Sequence, residues 1–332
     1  MFDFSVVICT YNGVKRLPLL LERLRSQRAT LFTWEILIVD NNSQDATARW
    51  VHQQQQSWTG EVPLRYAYEP RQGLAYARRR AIQQARSELV GFLDDDTLPD
   101  PYWVHEACRF AQAHPDVGAY GSEIKGVYAV PPPPGFDRIA SCLAVIQRGN
   151  EPFHYGATGV LPAGAGMVVR RRAWQRCVPA HPVLTGVCGS SLKAKGEDVE
   201  TLSYLRDAGW PIWHNPQMRL THQIPAARLA PAYLLNLFRC VGLSRYPLRQ
   251  LRYRPWQRPV MLGLHGLNDL RKLLRHVIQT RQLAPTDVVT ACERTLLVHS
   301  LMSPVHGLRS QLTPPKTTPA NSVSADSVPY VS

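Results

Sequence analysis

Short solid runs of apolar residues alternate with stretches whose apolar positions recur every three or four residues, and this alternation fills the first 120 positions. Residues 4–9 read as a buried strand, residues 17–28 repeat their apolar positions at helical spacing, and 34–39 form a second strand ending at Asp40. Ser43 is placed to cap a helix running through Val51, residues 64–68 give a third strand, and the alanine-rich 74–85 a helix. Residues 89–93 make the fourth strand and 102–113 the next helix. Pro99 and Pro101 belong to the loop between them, since a proline inside that helix would break it. Strands and helices in alternation predict an α/β fold with a Rossmann-like, mostly parallel central sheet flanked by helices.

Beyond residue 120 the pattern changes. Residues 121–192 are irregular, with a stiff loop at Pro131-Pro132-Pro133-Pro134 and Gly164-Ala165-Gly166 ahead of a strand at 167–169, a composition that builds a pocket wall more readily than a separate domain. Glu197 and Asp198 open a helix continued by Leu202, Leu205 and Ala208. Between residues 220 and 282 arginine is dense and Asp269 is the only acidic residue; after Leu308 the chain turns to Pro, Ser and Thr. The organisation expected is a domain over 1–225, divided near 120, a basic helical extension over 226–308, and a disordered tail over 309–332.

Composition limits the classes of function. The 332 residues are 45% hydrophobic and 19% charged, as in globular chains, and 38 Lys plus Arg against 25 Asp plus Glu leave a net charge of +13 that favours an anionic partner. Seven cysteines, an odd number without CxxC spacing, suit reduced thiols in a cytosolic compartment. No basic segment precedes a long apolar one at the start, and no apolar run is long enough to span a bilayer, so neither a secretory signal nor a membrane span is expected. After the first strand stands Thr10-Tyr11-Asn12-Gly13 in place of G-x-G-x-x-G, which argues against a dinucleotide oxidoreductase. A nucleic-acid-binding module is disfavoured as well: no recognised motif is present, and a carboxylate-rich cleft repels phosphate in the absence of metal.

Two acidic clusters carry the candidate chemistry. Asp94-Asp95-Asp96 closes the fourth strand, and ligands of open α/β sheets bind beyond the carboxyl ends of strands. Asp94 and Asp96 there form a hard-cation site able to hold a diphosphate; the competing reading is a solvated turn. Asp95 between them points the other way if the backbone stays extended. Glu197 and Asp198 lie in a first helical turn, where a carboxylate interacts favourably with the helix dipole, and from the local sequence alone ordinary capping is the stronger reading.

As an ordered set, Ser5-Val6-Val7-Ile8-Cys9-Thr10-Tyr11-Asn12, Ile36-Leu37-Ile38-Val39-Asp40-Asn41-Asn42-Ser43, Gly73-Leu74-Ala75-Tyr76-Ala77-Arg78, Phe92-Leu93-Asp94-Asp95-Asp96 and Gly196-Glu197-Asp198 resemble glycosyltransferase family 2, inverting sugar-nucleotide enzymes with a GT-A fold. The resemblance covers about residues 2–225. A narrower likeness, to cyanobacterial glycosyltransferases of hormogonium and extracellular polysaccharide synthesis, rests on the proline loop with Phe136, on Pro162-Ala163-Gly164-Ala165-Gly166, on residues 208–216 and on Gly242-Leu243-Ser244-Arg245.

The resemblance implies a nucleotide-sugar-binding half over 1–120 and an acceptor and general-base half over 121–225. It places Thr10, Tyr11 and Asn12 beside the nucleotide, Asp40 on the base, and Asn42, Gly73, Arg78, Asp94 and Asp95 around the rest of the donor. Asp96 becomes the direct ligand of Mn²⁺ or Mg²⁺, with Asp94 nearby and His222 completing the metal site. Asp198 becomes the general base, supported by Glu197. The reaction implied is transfer of a hexosyl unit from a nucleoside diphosphate sugar, UDP-linked by expectation, to an oligosaccharide or polyprenyl-diphosphate-linked acceptor. The arginine-rich region, with Arg245, Arg249 and Arg252 interleaved with Leu234, Leu235, Leu237, Phe238, Leu248 and Leu251, fits amphipathic helices on the cytoplasmic face of an anionic plasma membrane. A solvated basic face or an oligomer interface fits the same residues. The alternative function is a non-catalytic carbohydrate-binding or scaffold protein of the same fold.

Overall fold

The computed structural model describes residues 2–156, 160–189, 191–280 and 286–312. Its first part alternates as the apolar pattern requires: β1 (Phe2–Thr10), α1 (Leu17–Arg25), β2 (Trp34–Asp40), α2 (Thr47–Gln56), β3 (Leu64–Tyr68), α3 (Leu74–Gln84), β4 (Ser87–Asp94), β5 (Thr97–Pro99) and α4 (Trp103–Ala113). There follow β6 (Ala119–Tyr128), β7 (Phe153–His154), β8 (Met167–Arg170), α5 (Arg171–Cys177), a β9 (Gly186–Cys188) and β10 (Ser191–Ala194) hairpin, α6 (Glu197–Asp207) and β11 (Ile212–Ile224). Five helices close the described chain: α7 (Ala226–Leu229), α8 (Pro231–Leu243), α9 (Arg245–Leu251), α10 (Arg258–Thr280) and α11 (Val288–Leu312).

The main sheet runs β3-β2-β1-β4-β8-β6-β11-β5, with β7 added to β11. Strands β1 to β4 are parallel to one another, β8 is antiparallel to β4 and β6, and β6 and β11 are again parallel. Alternation within each strand divides the core between the two faces. Phe4, Val6 and Ile8 of β1 and Ile36 and Ile38 of β2 pack on one side with Leu17, Leu20 and Trp103, whereas Val7, Leu37 and Val39 pack on the other with Ala77, Ile82 and Leu202. Burial on both faces is why these strands read as unbroken apolar runs. The expected α/β fold, a mostly parallel sheet flanked by helices, is present.

Three expectations need correction. Ser43 does not cap a helix: α2 begins at Thr47, whose amide is taken by Asp45, while the Ser43 hydroxyl accepts the Asn12 amide. The segment expected to be a disordered tail begins too early, because α11 continues to Leu312; residues 313–332 lie outside the described residues. Of the apolar side chains expected to meet lipid, Leu234, Leu237 and Phe238 of α8 are core, buried with Phe136, Ile139, Leu143 and Cys292. Arginine density marks basic surface and apolar spacing marks a buried stripe, and here the two belong to different helix faces. No cysteine is joined in a disulfide among the described residues, and no described helix is long and apolar enough to cross a membrane.

Candidate active site

The turn after β1 is built by local hydrogen bonding. Asn12 adopts a left-handed conformation (φ 50°), its side-chain oxygen accepts the Gln44 amide, and its own amide donates to Ser43. Buried Thr10 donates its hydroxyl to Asp95 at 2.6 Å, and Arg16 grips the same carboxylate with two nitrogens at 2.7 and 2.8 Å. Asp95 therefore turns towards β1, tying the strand ends together, instead of facing away. Asn42 (φ 63°) accepts the Tyr68 hydroxyl and shapes the turn after β2. Asp40 is 1% exposed with both oxygens in use, one by the Ser43 amide and one by the Tyr66 hydroxyl. Its neighbour Asn41 lines the cleft in its place.

Gly73 begins α3 at φ 136°, and a Cβ there would lie 2.7 Å from the Thr185 carbonyl oxygen, so no larger side chain fits between α3 and the segment before β9. Further along α3, Arg78 is buried. The Arg78 guanidinium is 3% exposed, 3.0 Å from Glu197 and 3.7 Å from Asp94, and so joins β4 to the start of α6; Arg78 and Glu197 are 119 positions apart in sequence. A Cβ on Gly164 would fall 2.3 Å from it, which explains a glycine at that point in the wall. Burial disfavours the charge on Arg78, but Glu197, Asp94 and Asp198 outweigh it. Burial and the adjacent Asp198 raise the Glu197 carboxyl despite Arg78. Arg78 is thus engaged by carboxylates on both sides.

The second end of the cleft depends on a long-range strand pair. β5 runs antiparallel to β11 with His222 opposite Thr97, and the Gln223 amide donates to the Asp96 carbonyl at 2.9 Å. That register brings the His222 ring to the aspartate triplet. Its Nδ1 lies 2.8 Å from the Leu143 carbonyl oxygen, to which it donates, and its Nε2 faces the cleft. Nε2 is 3.6 Å from Asp96, and Arg228 of α7 stands against both, 2.8 Å from the carboxylate and 3.1 Å from the ring nitrogen. Burial opposes ionisation of Asp96, yet His222 and Arg228 hold its carboxyl well below the usual carboxylate range. For Asp94, burial and Asp96 raise the carboxyl even though Arg78 is near.

Two adjoining cavities result. One of about 250 Å³ is lined by Thr10, Tyr11, Asn41, Asp94, Asp95, Asp96, His222 and Arg228. The other, of about 380 Å³, is lined by Arg78, Asp94, Glu197, Asp198, Lys195 and Arg245. Asp94, Leu74 and Lys195 belong to both. Asp198 accepts the amides of Gly164 at 2.9 Å and Val199 at 2.8 Å, one on each oxygen, which fixes the carboxylate in the wall. The aspartate triplet, His222, Glu197 and Asp198 are thus gathered into one cleft, and Asp40 and Asn42 stand behind it. Arg228 and Arg16 were not singled out as site residues by sequence; only the β5–β11 pairing and the turn after β1 bring them in.

No group of three or more His, Cys, Asp or Glu side chains among the described residues is arranged to hold a metal ion alone. Asp96 and Nε2 of His222 nevertheless share one cation, the Arg228 guanidinium. Oxygen and imidazole donors of this kind fit Mn²⁺ or Mg²⁺ when a diphosphate supplies further oxygens.

Comparison with known proteins defines the class first by fold. A mannosyltransferase from Pyrobaculum calidifontis, in complex with GDP-Man and Mn²⁺, superposes with a TM-score of 0.58 over 94% of this chain and 90% of its own, at 16% identity, and the architecture is a GT-A fold. Residues 5–161, somewhat less than half of the chain, match Glycosyl transferase family 2. Among curated relatives, glycosyltransferase AglE of Haloferax volcanii is 31% identical over 101 residues, 30% of this chain and 32% of its own. A hyaluronan synthase of Pasteurella multocida is 27% identical over 103 residues, 30% of this chain and 10% of its own. The matched stretch spans a third or less of either relative.

Proposed function

We propose that the protein transfers a glycosyl unit from a nucleoside diphosphate sugar, UDP-linked, to a hydroxyl of a saccharide or lipid-linked saccharide, with inversion at the anomeric carbon. The observation that carries this reading is the pair of cavities sharing Asp94, with Asp96 and His222 in one and Asp198 in the other. A donor across that wall presents its diphosphate to the first cavity and its anomeric carbon to the second. Asp198, held by two backbone amides, takes the proton of the attacking hydroxyl. Glu197 and Arg78 keep the start of α6 fixed against β4, so the base keeps its position. Tyr11 and Asn41 line the wall for the nucleotide, with Asp40 and Asn42 setting the turn behind them. Asp96, Asp94 and His222 would hold Mn²⁺ or Mg²⁺, which when bound offsets charge on the departing diphosphate. The family match and the GDP-Man and Mn²⁺ in the mannosyltransferase of like fold support the donor class. The narrower motif likeness supports a place in extracellular polysaccharide synthesis.

A panel of UDP- and GDP-sugars, followed by release of nucleoside diphosphate with Mn²⁺, with Mg²⁺ and with EDTA, tests the reading. Metal-stimulated release from one donor is expected. Silence across the panel with either metal would turn the assignment to the non-catalytic carbohydrate-binding alternative.

A lipid-linked acceptor would bring the enzyme to an anionic leaflet, on the cytoplasmic face of the plasma membrane, and α10 is the element suited to that contact. Val260, Leu264, Leu267, Leu274 and Ile278 are each more than half exposed and fall on one stripe of this 23-residue helix, about 34 Å long, with exposed Trp256 just ahead of it. Arg271 lies within the stripe and Arg275 beside it, while Asp269, diametrically opposite, is buried against Arg249. A second copy of the chain would set Arg271 against itself with no carboxylate on the stripe to compensate. Vesicles containing anionic lipid are expected to sediment the protein, to release it as salt rises, and to bind it more weakly when Leu264, Leu267 and Leu274 are replaced together by Ser. Equal, poor recruitment by neutral and anionic vesicles sinks the proposal. Dimerisation lost in the same variant would assign the stripe to self-association.

A further inference from the structure

We infer that the second cavity is an acceptor subsite for a phosphate group, with Arg245 as the residue that binds it. The inference rests on the transferase reading in naming the ligand an acceptor and in placing the donor diphosphate in the other cavity.

Arg245 opens α9 and lines the cavity that also holds Asp198. Among the described residues its guanidinium has no hydrogen-bond or ion-pair partner. A carboxylate does lie near: Asp269, fully buried in α10. Both of its oxygens are taken by Arg249, one turn along the same helix as Arg245, at 2.6 and 2.8 Å. Arg249 thus consumes the local counter-ion and adds its own repulsion. Burial and then Arg249 disfavour the charged form of Arg245, with Asp269 only partly compensating. A half-buried guanidinium in that position gains from an incoming anion, since charge-assisted hydrogen bonds to phosphate are made by the same planar fork.

The rest of the cavity agrees with an anionic ligand. Its carboxylates are engaged: Asp94 and Glu197 by Arg78, and Asp198 by two backbone amides. Lys195, whose ammonium donates to the Cys142 carbonyl at 3.3 Å, and Arg148 add two further cations to the lining. More than one cation suits a phosphate better than a monovalent carboxylate. Leu161, Val241 and Leu248 supply apolar wall in the same cavity, as an amphiphilic phosphate requires. The donor's own diphosphate belongs to the other cavity, beside Asp96.

Calorimetry on the full chain saturated with UDP and Mg²⁺ isolates this subsite from the donor site. Farnesyl phosphate and inorganic phosphate are the two probes, titrated into wild type, Arg245→Gln and Arg245→Lys. Farnesyl phosphate is expected to bind the wild type, to lose on the order of tenfold or more in affinity with Arg245→Gln, and to recover part of it with Arg245→Lys, while UDP affinity stays unchanged in both variants. Tighter binding of farnesyl than of inorganic phosphate assigns a lipid phosphate; equal binding assigns a phosphate without an apolar tail. No phosphate binding by the UDP-loaded wild type, or equal binding by wild type and Arg245→Gln, overturns the subsite. Failure of the wild type to bind UDP at all is a separate result that strikes the donor reading instead.

Discussion

Asp198→Asn is expected to lower sugar transfer about 10²-fold or more while metal-dependent nucleotide binding persists. The proposed role of this carboxylate is to take a proton, and an amide of nearly the same shape cannot do so. Asp198 offers one oxygen to the Gly164 amide and the other to the Val199 amide, whereas Asn has only one acceptor oxygen. One backbone N–H therefore loses its partner, at a cost of about 1–3 kcal/mol if it stays buried. A thermal melt run beside calorimetry and turnover on the same preparation separates that structural cost from lost chemistry. Unchanged turnover would dismiss Asp198 as the base. Glu197 would then be a poor substitute, because it is buried and already held by Arg78.

Asp96→Ala should abolish Mn²⁺-stimulated donor turnover and weaken Mn²⁺ binding measured directly by electron paramagnetic resonance. The substitution removes a hard oxygen ligand from a site that has few of its own and leaves Arg228 and His222 without the anion they share. Asp95→Ala should be milder in Mn²⁺ affinity. Asp95 is spent on Thr10 and Arg16, so its loss loosens the turn after β1 more than it alters the cation site. Small and equal effects of the two substitutions would contradict this division of roles within the triplet.

Much of the fold is legible because each strand and helix of the first 120 residues records its own burial. Strands buried on both faces appear as solid apolar runs such as Val6-Val7-Ile8, and helices as 3.6-residue repeats such as Leu17, Leu20, Leu21 and Leu24. The position of Asp94-Asp95-Asp96 at a strand end is local as well, since the apolar run stops where the acids begin. Asp40 likewise follows an apolar strand, so the same logic would leave it exposed. It is not, because Tyr66, brought alongside by the β2–β3 pairing, and the Ser43 amide fold over its carboxylate.

By itself, the sequence determined the alternation of elements, the acidic end of β4 and the acidic first turn of α6, all of which follow from contacts within a few residues. Tertiary structure decided which charges meet. The antiparallel register of β5 on β11 sets His222 beside Asp96 and delivers Arg228, and the packing of α3 against α6 sets Arg78 beside Glu197. Tertiary packing also chose the faces of the basic helices, burying Leu234, Leu237 and Phe238 of α8 while leaving the stripe of α10 uncovered. Periodicity shows that a helix has an apolar side, but whether that side meets core or solvent depends on partners distant in sequence, and local pattern carries no information about them.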